Sequence, residues 1–281
     1  MNIAALTKTV AIKGECFPLT DVGAGPAVLL LHGFPDSRFV WRHQVPVLVA
    51  AGFRVIAPDL RGFGDAPRPT DVRPYRRPFI VADILGILDA LGVTHSHMVG
   101  HDWGANLTWR LAGSYPERFD RVVVLSVGAP TSPGWETVEQ REKSWYFDFF
   151  LKVGIAEKTL KADNWKLFRE WSRGQGDQER YLQDLARPGA LTAALNWYRA
   201  ALTPLPAGED PLPTLPSWDR IRTPMLGVWS DGDLFLLEPQ MALSAGALDA
   251  SWRYERISGA GHWMMLDKPD ELNRLLVDFL S

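Results

Sequence analysis

The segment Gly100-His101-Asp102-Trp103-Gly104 limits the possible folds of this chain more than any other stretch. It follows a short apolar run, His97-Met98-Val99, and precedes a helix-like one, Ala105 to Ala112. Glycine on both sides lets a strand turn sharply into a helix and leaves the central side chain at the apex, as in a nucleophile elbow. Where the apex is serine, the chemistry is acyl transfer. Here it is Asp102, and a carboxylate is suited to attack a saturated carbon and become an alkyl ester. Gly-x-Asp-x-Gly also occurs in plain turns and phosphate loops, so the surrounding pattern has to decide.

That pattern alternates. Ala27 to Leu31, Phe53 to Ala57, Ser96 to Val99 and Val122 to Leu125 read as short buried strands. Between them Phe79 to Leu91 carries Ile80, Ile84, Ile87, Leu88 and Leu91 at helical spacing before the stop at Gly92, and Ala105 to Ser114 reads as another helix. Such alternation predicts an α/β fold, a mostly parallel sheet flanked by helices. From residue 133 to 217 the strands vanish and Trp135, Trp145, Trp165, Trp171 and Trp197 accumulate, which predicts an inserted helical cap. The cap ends in a proline-rich stretch, Pro204 to Pro216, read as a stiff linker. Strands return at Met225 to Trp229 and Trp252 to Ile257, and a last helix at Pro269 to Leu280. The predicted division is a core of residues 1–132 and 218–281 around a cap of 133–217.

Composition excludes several alternatives. With 46% hydrophobic and 22% charged residues, 281 residues can bury a large core. A net charge of −3 gives no electrostatic reason to expect nucleic acid or an anionic membrane as partner. Cys16 stands alone, so neither an intramolecular disulfide nor a cysteine metal site is available. The N-terminus, Met1 to Lys8, lacks a basic-then-apolar leader pattern, and no apolar run approaches the ~18 residues of a membrane span. A cytoplasmic protein is expected.

An elbow needs a base and an acid to orient it. His262, in Gly259-Ala260-Gly261-His262-Trp263, follows the last strand and so belongs at the same sheet edge as Asp102. His43 reads as a surface residue. His95 and His97 alternate on one strand near His101 and Asp102, but the turn at Gly100 breaks the alternation and the spacing fits no metal motif. For the acid, Ser230-Asp231-Gly232-Asp233 offers two carboxylates, of which Asp233 is favoured by its place in the turn. Backbone donors for an oxyanion are expected from Trp103, after the nucleophile, and from Phe34 in Leu31-His32-Gly33-Phe34-Pro35-Asp36. Phe34-Pro35 is the bond where a cis peptide is expected.

With these segments in view the chain resembles the epoxide hydrolases of the α/β-hydrolase fold, the soluble type. The resemblance rests on His32 to Ser37, Pro58-Asp59-Leu60-Arg61-Gly62-Phe63-Gly64, Gly100 to Gly104, Leu195-Asn196-Trp197-Tyr198-Arg199 and Gly261-His262-Trp263, and it runs through nearly the whole chain. The cap segment Trp145 to Phe150, followed by Val153-Gly154-Ile155-Ala156-Glu157, is similar as well. The resemblance implies that Tyr146 and Tyr198 hold the epoxide oxygen, with Tyr181 as the fallback, and that Asp233 is the acid. It also implies an apolar small-molecule epoxide as substrate and a vicinal diol as product, with no metal or organic cofactor. Phe34, Trp103, Trp145, Phe149 and Phe150 are expected to line an apolar pocket. Two rivals stay open. A haloalkane dehalogenase shares the Asp elbow but needs side-chain N–H donors for the halide, and Phe34 has none. A non-catalytic ligand-binding protein on the same fold would be free to lose a triad member, and none is lost. The chain is expected to be a monomer or a homodimer.

Overall fold

The computed structural model describes residues 6–281. The leader reading of Met1 to Ala5 lies outside them. Eight strands form one sheet: β1 Thr7–Ile12, β2 Glu15–Val22, β3 Ala27–Leu31, β4 Arg54–Pro58, β5 Ser96–His101, β6 Phe119–Leu125, β7 Met225–Gly232 and β8 Trp252–Gly261. Their spatial order is β1-β2-β4-β3-β5-β6-β7-β8. β1, β2 and β4 pair antiparallel; from β4 through β3 to β8 every pairing is parallel.

The parallel strands are covered on both faces, which is why they read as unbroken apolar runs. β5 is buried at all six positions, and Val28, Leu29, Leu30, Leu31, Met98 and Val122 to Leu125 are sealed from solvent. On one side α2 (Arg77–Ala90) turns Ile80, Val81, Ile84, Ile87 and Leu88 inward, and α3 (Trp103–Ser114) buries Leu107, Trp109 and Leu111. On the other, α1 (Gln44–Ala50) packs against α11 (Pro269–Leu280), which buries Leu272, Leu276 and Leu280. The expected strands and helices are found within a few residues of their predicted limits. β1, β2 and α1 were not anticipated.

Between β6 and β7 the chain leaves the sheet and forms α4 (Val138–Lys143), α5 (Tyr146–Phe150), α6 (Ile155–Ser172), α7 (Gln178–Leu185) and α8 (Ala190–Leu202). No strand occurs there among the described residues. These helices are tied to the sheet side by buried polar contacts. The Trp197 indole N–H donates to the Arg61 carbonyl at 2.8 Å, and Asn196 donates to the Thr70 carbonyl at 3.2 Å. Arg199, itself buried, donates to the Phe150 carbonyl at 3.1 Å and to Glu157 at 2.8 Å, which locks α8 to α5 and α6. Among the described residues no helix is long and apolar enough to cross a membrane.

Candidate active site

Four loops that follow β3, β5, β7 and β8 meet at one edge of the sheet. These strands run parallel, so their carboxyl ends point the same way. Asp102 sits between β5 and α3 with φ 53° and ψ −120°, a conformation that costs of order 1–3 kcal/mol for a residue other than glycine. The turn closes because Gly104 has no side chain: a Cβ there would lie 2.1 Å from the Leu31 carbonyl oxygen. The loop after β3 comes equally close. A Cβ on Gly33 would lie 2.3 Å from Asp102 Oδ1, and this clearance lets the Phe34 N–H donate to that oxygen at 2.8 Å. The Phe34-Pro35 peptide is cis, as expected. Trp103 is the first residue of α3, so its N–H is one of the first-turn amides that have no partner within the helix.

His262 follows β8 and is buried. Its Nδ1 lies 2.9 Å from Asp233 Oδ2, and its Nε2 is 3.6 Å from Asp102 Oδ2, a charge contact too long for a hydrogen bond. The other Asp233 oxygen accepts the N–H groups of Phe235 (2.8 Å) and Leu236 (3.0 Å), which fixes the carboxylate toward the imidazole. Asp231 points away: it is exposed and accepts the Gly259 N–H at 2.8 Å. Burial alone would lower the pKa of His262, but Asp233 and Asp102 outweigh it and raise it well above the ordinary histidine value. Burial likewise pushes the carboxyls of Asp102 and Asp233 up, yet His262 holds both below their usual value. Asp102 and Asp233 are therefore anionic around an imidazolium at neutral pH.

Above Asp102 lies a cavity of about 210 Å³. Its wall includes Asp102, Trp103, Tyr146, Tyr198, Phe235 and Leu236. Tyr146 on α5 and Tyr198 on α8 are both buried, with ring centroids 6.0 Å apart. Burial pushes both phenol pKa values well up, and the Asp102 charge adds to this, so both hydroxyls keep their protons and can donate.

The remaining expected residues fall elsewhere. The Phe34 ring is buried edge-on against Tyr198 at 5.3 Å and lies behind the wall. Phe150 is buried behind the same tyrosine at 5.0 Å. Trp145, at 48% exposure, lines a separate surface groove with Lys143 and Arg173, and Phe149 packs beside it at 6.1 Å. These four do not line this cavity, contrary to expectation: Phe34 and Phe150 are packed against Tyr198, and Trp145, one residue before Tyr146, points about 100° away from it and carries Phe149 at its side. Tyr181 is not on the wall either: it stacks on Trp263 at 5.6 Å next to Asp36.

The sequence matches the family model for the alpha/beta hydrolase fold over residues 26–269. It is 31% identical to epoxide hydrolase 4 of Homo sapiens, over 97% of this chain and 78% of that protein. The chain belongs to the epoxide hydrolases of the α/β-hydrolase fold. It is also 31% identical, across 97% of its length, to bifunctional epoxide hydrolase 2 of Sus scrofa, of which it spans about half, 54%. A solved structure of epoxide hydrolases from metagenomes of hot environments has a TM-score of 0.85 to this chain at 29% identity, covering 98% of each.

Within this family member two contributors to the site escaped the sequence reading. Gln175, in the loop between α6 and α7, accepts the His262 N–H on Oε1 at 3.0 Å and donates from Nε2 to the Gly232 carbonyl at 3.0 Å. One side chain from the helical segment thus spans the loops that carry His262 and Asp233. Phe235 lies edge-on to His262 at 5.0 Å and to Tyr146 at 5.7 Å, which excludes water from the imidazole face. Neither belongs to a recognisable motif, and only the meeting of distant loops makes them neighbours.

Proposed function

We propose that the chain hydrolyses a small apolar epoxide to a vicinal diol through a covalent ester on Asp102. The observation that carries this reading is that one carboxylate and two protonated phenols share the wall of one cavity. A carboxylate alone would suit several displacements. Phenols opposite it suit one in which the leaving oxygen stays attached to the product and needs a proton.

In the first step an Asp102 oxygen attacks an epoxide carbon. The carbon–oxygen bond opens, and the ring oxygen takes a proton from Tyr146 or Tyr198, leaving a hydroxyalkyl ester and a phenolate. Such positioned acids typically contribute ~10²–10⁴ in rate. Esterification removes the Asp102 charge, one of the two that raise the pKa of His262. The imidazolium then releases its proton to solvent and the phenolate takes one from solvent, so the net proton count is unchanged. In the second step neutral His262, oriented by Asp233, takes a proton from water, and the resulting hydroxide attacks the ester carbonyl. The Phe34 N–H, which already donates to Asp102 Oδ1, and the Trp103 N–H would hold the oxyanion. Collapse breaks the ester C–O bond and expels the diol alkoxide, which takes the proton held by His262; the Asp102 carboxylic acid then returns its proton to His262, which restores the carboxylate and the imidazolium. No step requires a metal or an organic cofactor.

Asp102→Ala tests the reading. Wild-type protein is expected to convert styrene oxide to its diol, and the variant to leave it intact at the uncatalysed rate. Chloride release from chloroalkanes without diol formation from any epoxide would favour the dehalogenase reading instead. A wild type inactive on both would favour a binding protein.

A further inference from the structure

The cavity rim carries a charge that epoxide opening does not use. Arg77, in the first turn of α2, lines the cavity beside Trp103 and Asn106, and among the described residues its guanidinium donates only to Asn106 Oδ1, at 3.4 Å. A second hollow of about 340 Å³ adjoins the first, and Arg77, Trp103 and Asn106 line both. Arg110, one helical turn past Asn106 on α3, lines this outer groove. Among the described residues it donates to one carbonyl, that of Pro216 at 3.2 Å, and its buried Nε has no partner.

The charge balance of the groove is one-sided. No aspartate or glutamate lines it. Its third arginine, Arg76, commits both terminal nitrogens to the carbonyls of Ala200, Thr203 and Pro204, although its Nε, like that of Arg110, has no partner among the described residues. Among the described residues neither Arg77 nor Arg110 is in an ion pair, whereas Arg54, Arg61, Arg187 and Arg199 all meet carboxylates. Surrounding protein and the positive charge of Arg110 both lower the pKa of Arg77, so the two guanidiniums work against each other. Ile80, Leu107 and Leu215 make the rest of the groove partly apolar, while Arg77 itself is exposed and free to meet a ligand from solvent.

We propose that Arg77 and Arg110 form an anion subsite of the same active site, and that the preferred epoxide carries a carboxylate at the end remote from its ring. The inference rests on the epoxide-opening reading for the reactive end of the ligand. The apolar body would lie in the inner cavity with the epoxide at Asp102. The carboxylate would project past Trp103 into the groove, where the planar fork of an arginine matches its two oxygens.

The test compares para-carboxystyrene oxide with its methyl ester, which keeps the shape and removes the charge. Wild type is expected to favour the acid in kcat/KM by roughly ten- to hundredfold, as for a hydrogen bond to a charged group. The preference should shrink with added salt. Arg77→Met and Arg110→Met should each reduce the acid-to-ester ratio, through KM rather than kcat. A wild-type ratio near one, or a ratio that survives both substitutions, overturns the proposal. Calorimetric binding of para-ethylbenzoate and its methyl ester, which cannot react, separates the two readings. Arginine-dependent binding of the acid in a protein that opens neither epoxide would sink the hydrolase reading and keep the subsite. Equal binding of acid and ester by an active hydrolase would do the reverse.

Discussion

At Asp36 the chain buries a carboxyl that joins no ion pair among the described residues. It accepts the Trp263 indole N–H at 2.8 Å, but burial dominates and raises its pKa from 3.8 to about 7. The folded form therefore holds this proton to higher pH than the unfolded chain does, and stability is lost as pH climbs from 3.8 toward 7. Asp36→Asn keeps an acceptor for Trp263 and cannot ionise. Its melting temperature relative to wild type should improve steadily between about pH 4 and 7 and level off above. A difference that does not change with pH would contradict the assignment. The residue scale also shows how much a sequence can say about single side chains. Asp102, His262 and Asp233 could be named because each follows a strand within a short motif, with turn position favouring Asp233 over Asp231 and the family resemblance pointing the same way. Tyr146 and Tyr198 could be named only by resemblance, since an aromatic among aromatics carries no pattern of its own. Arg77 and Gln175 could not be named, because their nearness to Asp102 and His262 comes from tertiary folding alone.

At the scale of elements, α8 shows how a short motif positions one functional group. Leu195-Asn196-Trp197-Tyr198-Arg199 commits Asn196, Trp197 and Arg199 to carbonyls or a carboxylate of other segments, leaving Tyr198 to face the cavity. Arg199→Met should leave the buried Phe150 carbonyl without its donor and the half-buried Glu157 without its cation, and lower stability by about 1–3 kcal/mol in denaturant titration. A variant as stable as wild type would show that α8 is held by apolar packing instead. Elements were legible where their environment was uniform. Parallel strands covered on both faces give unbroken apolar runs, and α2 keeps helical periodicity. β1 was missed because Thr7–Ile12 is an edge strand with mostly exposed or half-exposed positions. β2 was missed because its polar residues Thr20 and Asp21 interrupt the apolar run yet are buried, with Asp21 held by Lys8 and Arg54.

For the molecule as a whole, four loops at one edge of the sheet bring together Phe34, Asp102, Trp103, Asp233 and His262, while the helices between β6 and β7 carry Tyr146 and Tyr198. The sequence divided these two regions by texture, a loss of strands and a gain of tryptophan. It could not show how the insertion sits over the sheet, because that depends on long-range contacts such as Gln175 with His262 and Trp197 with Arg61. Under the proposed mechanism the two chemical steps are separable, with the phenols assigned to ring opening and His262 to ester hydrolysis. The most direct measurement is the intact mass of His262→Gln after incubation with styrene oxide, followed by peptide mapping. The account predicts a gain of one epoxide mass, located on the peptide that contains Asp102 and absent from Asp102→Ala. A His262→Gln protein that turns over normally, or that never carries the adduct, would contradict it.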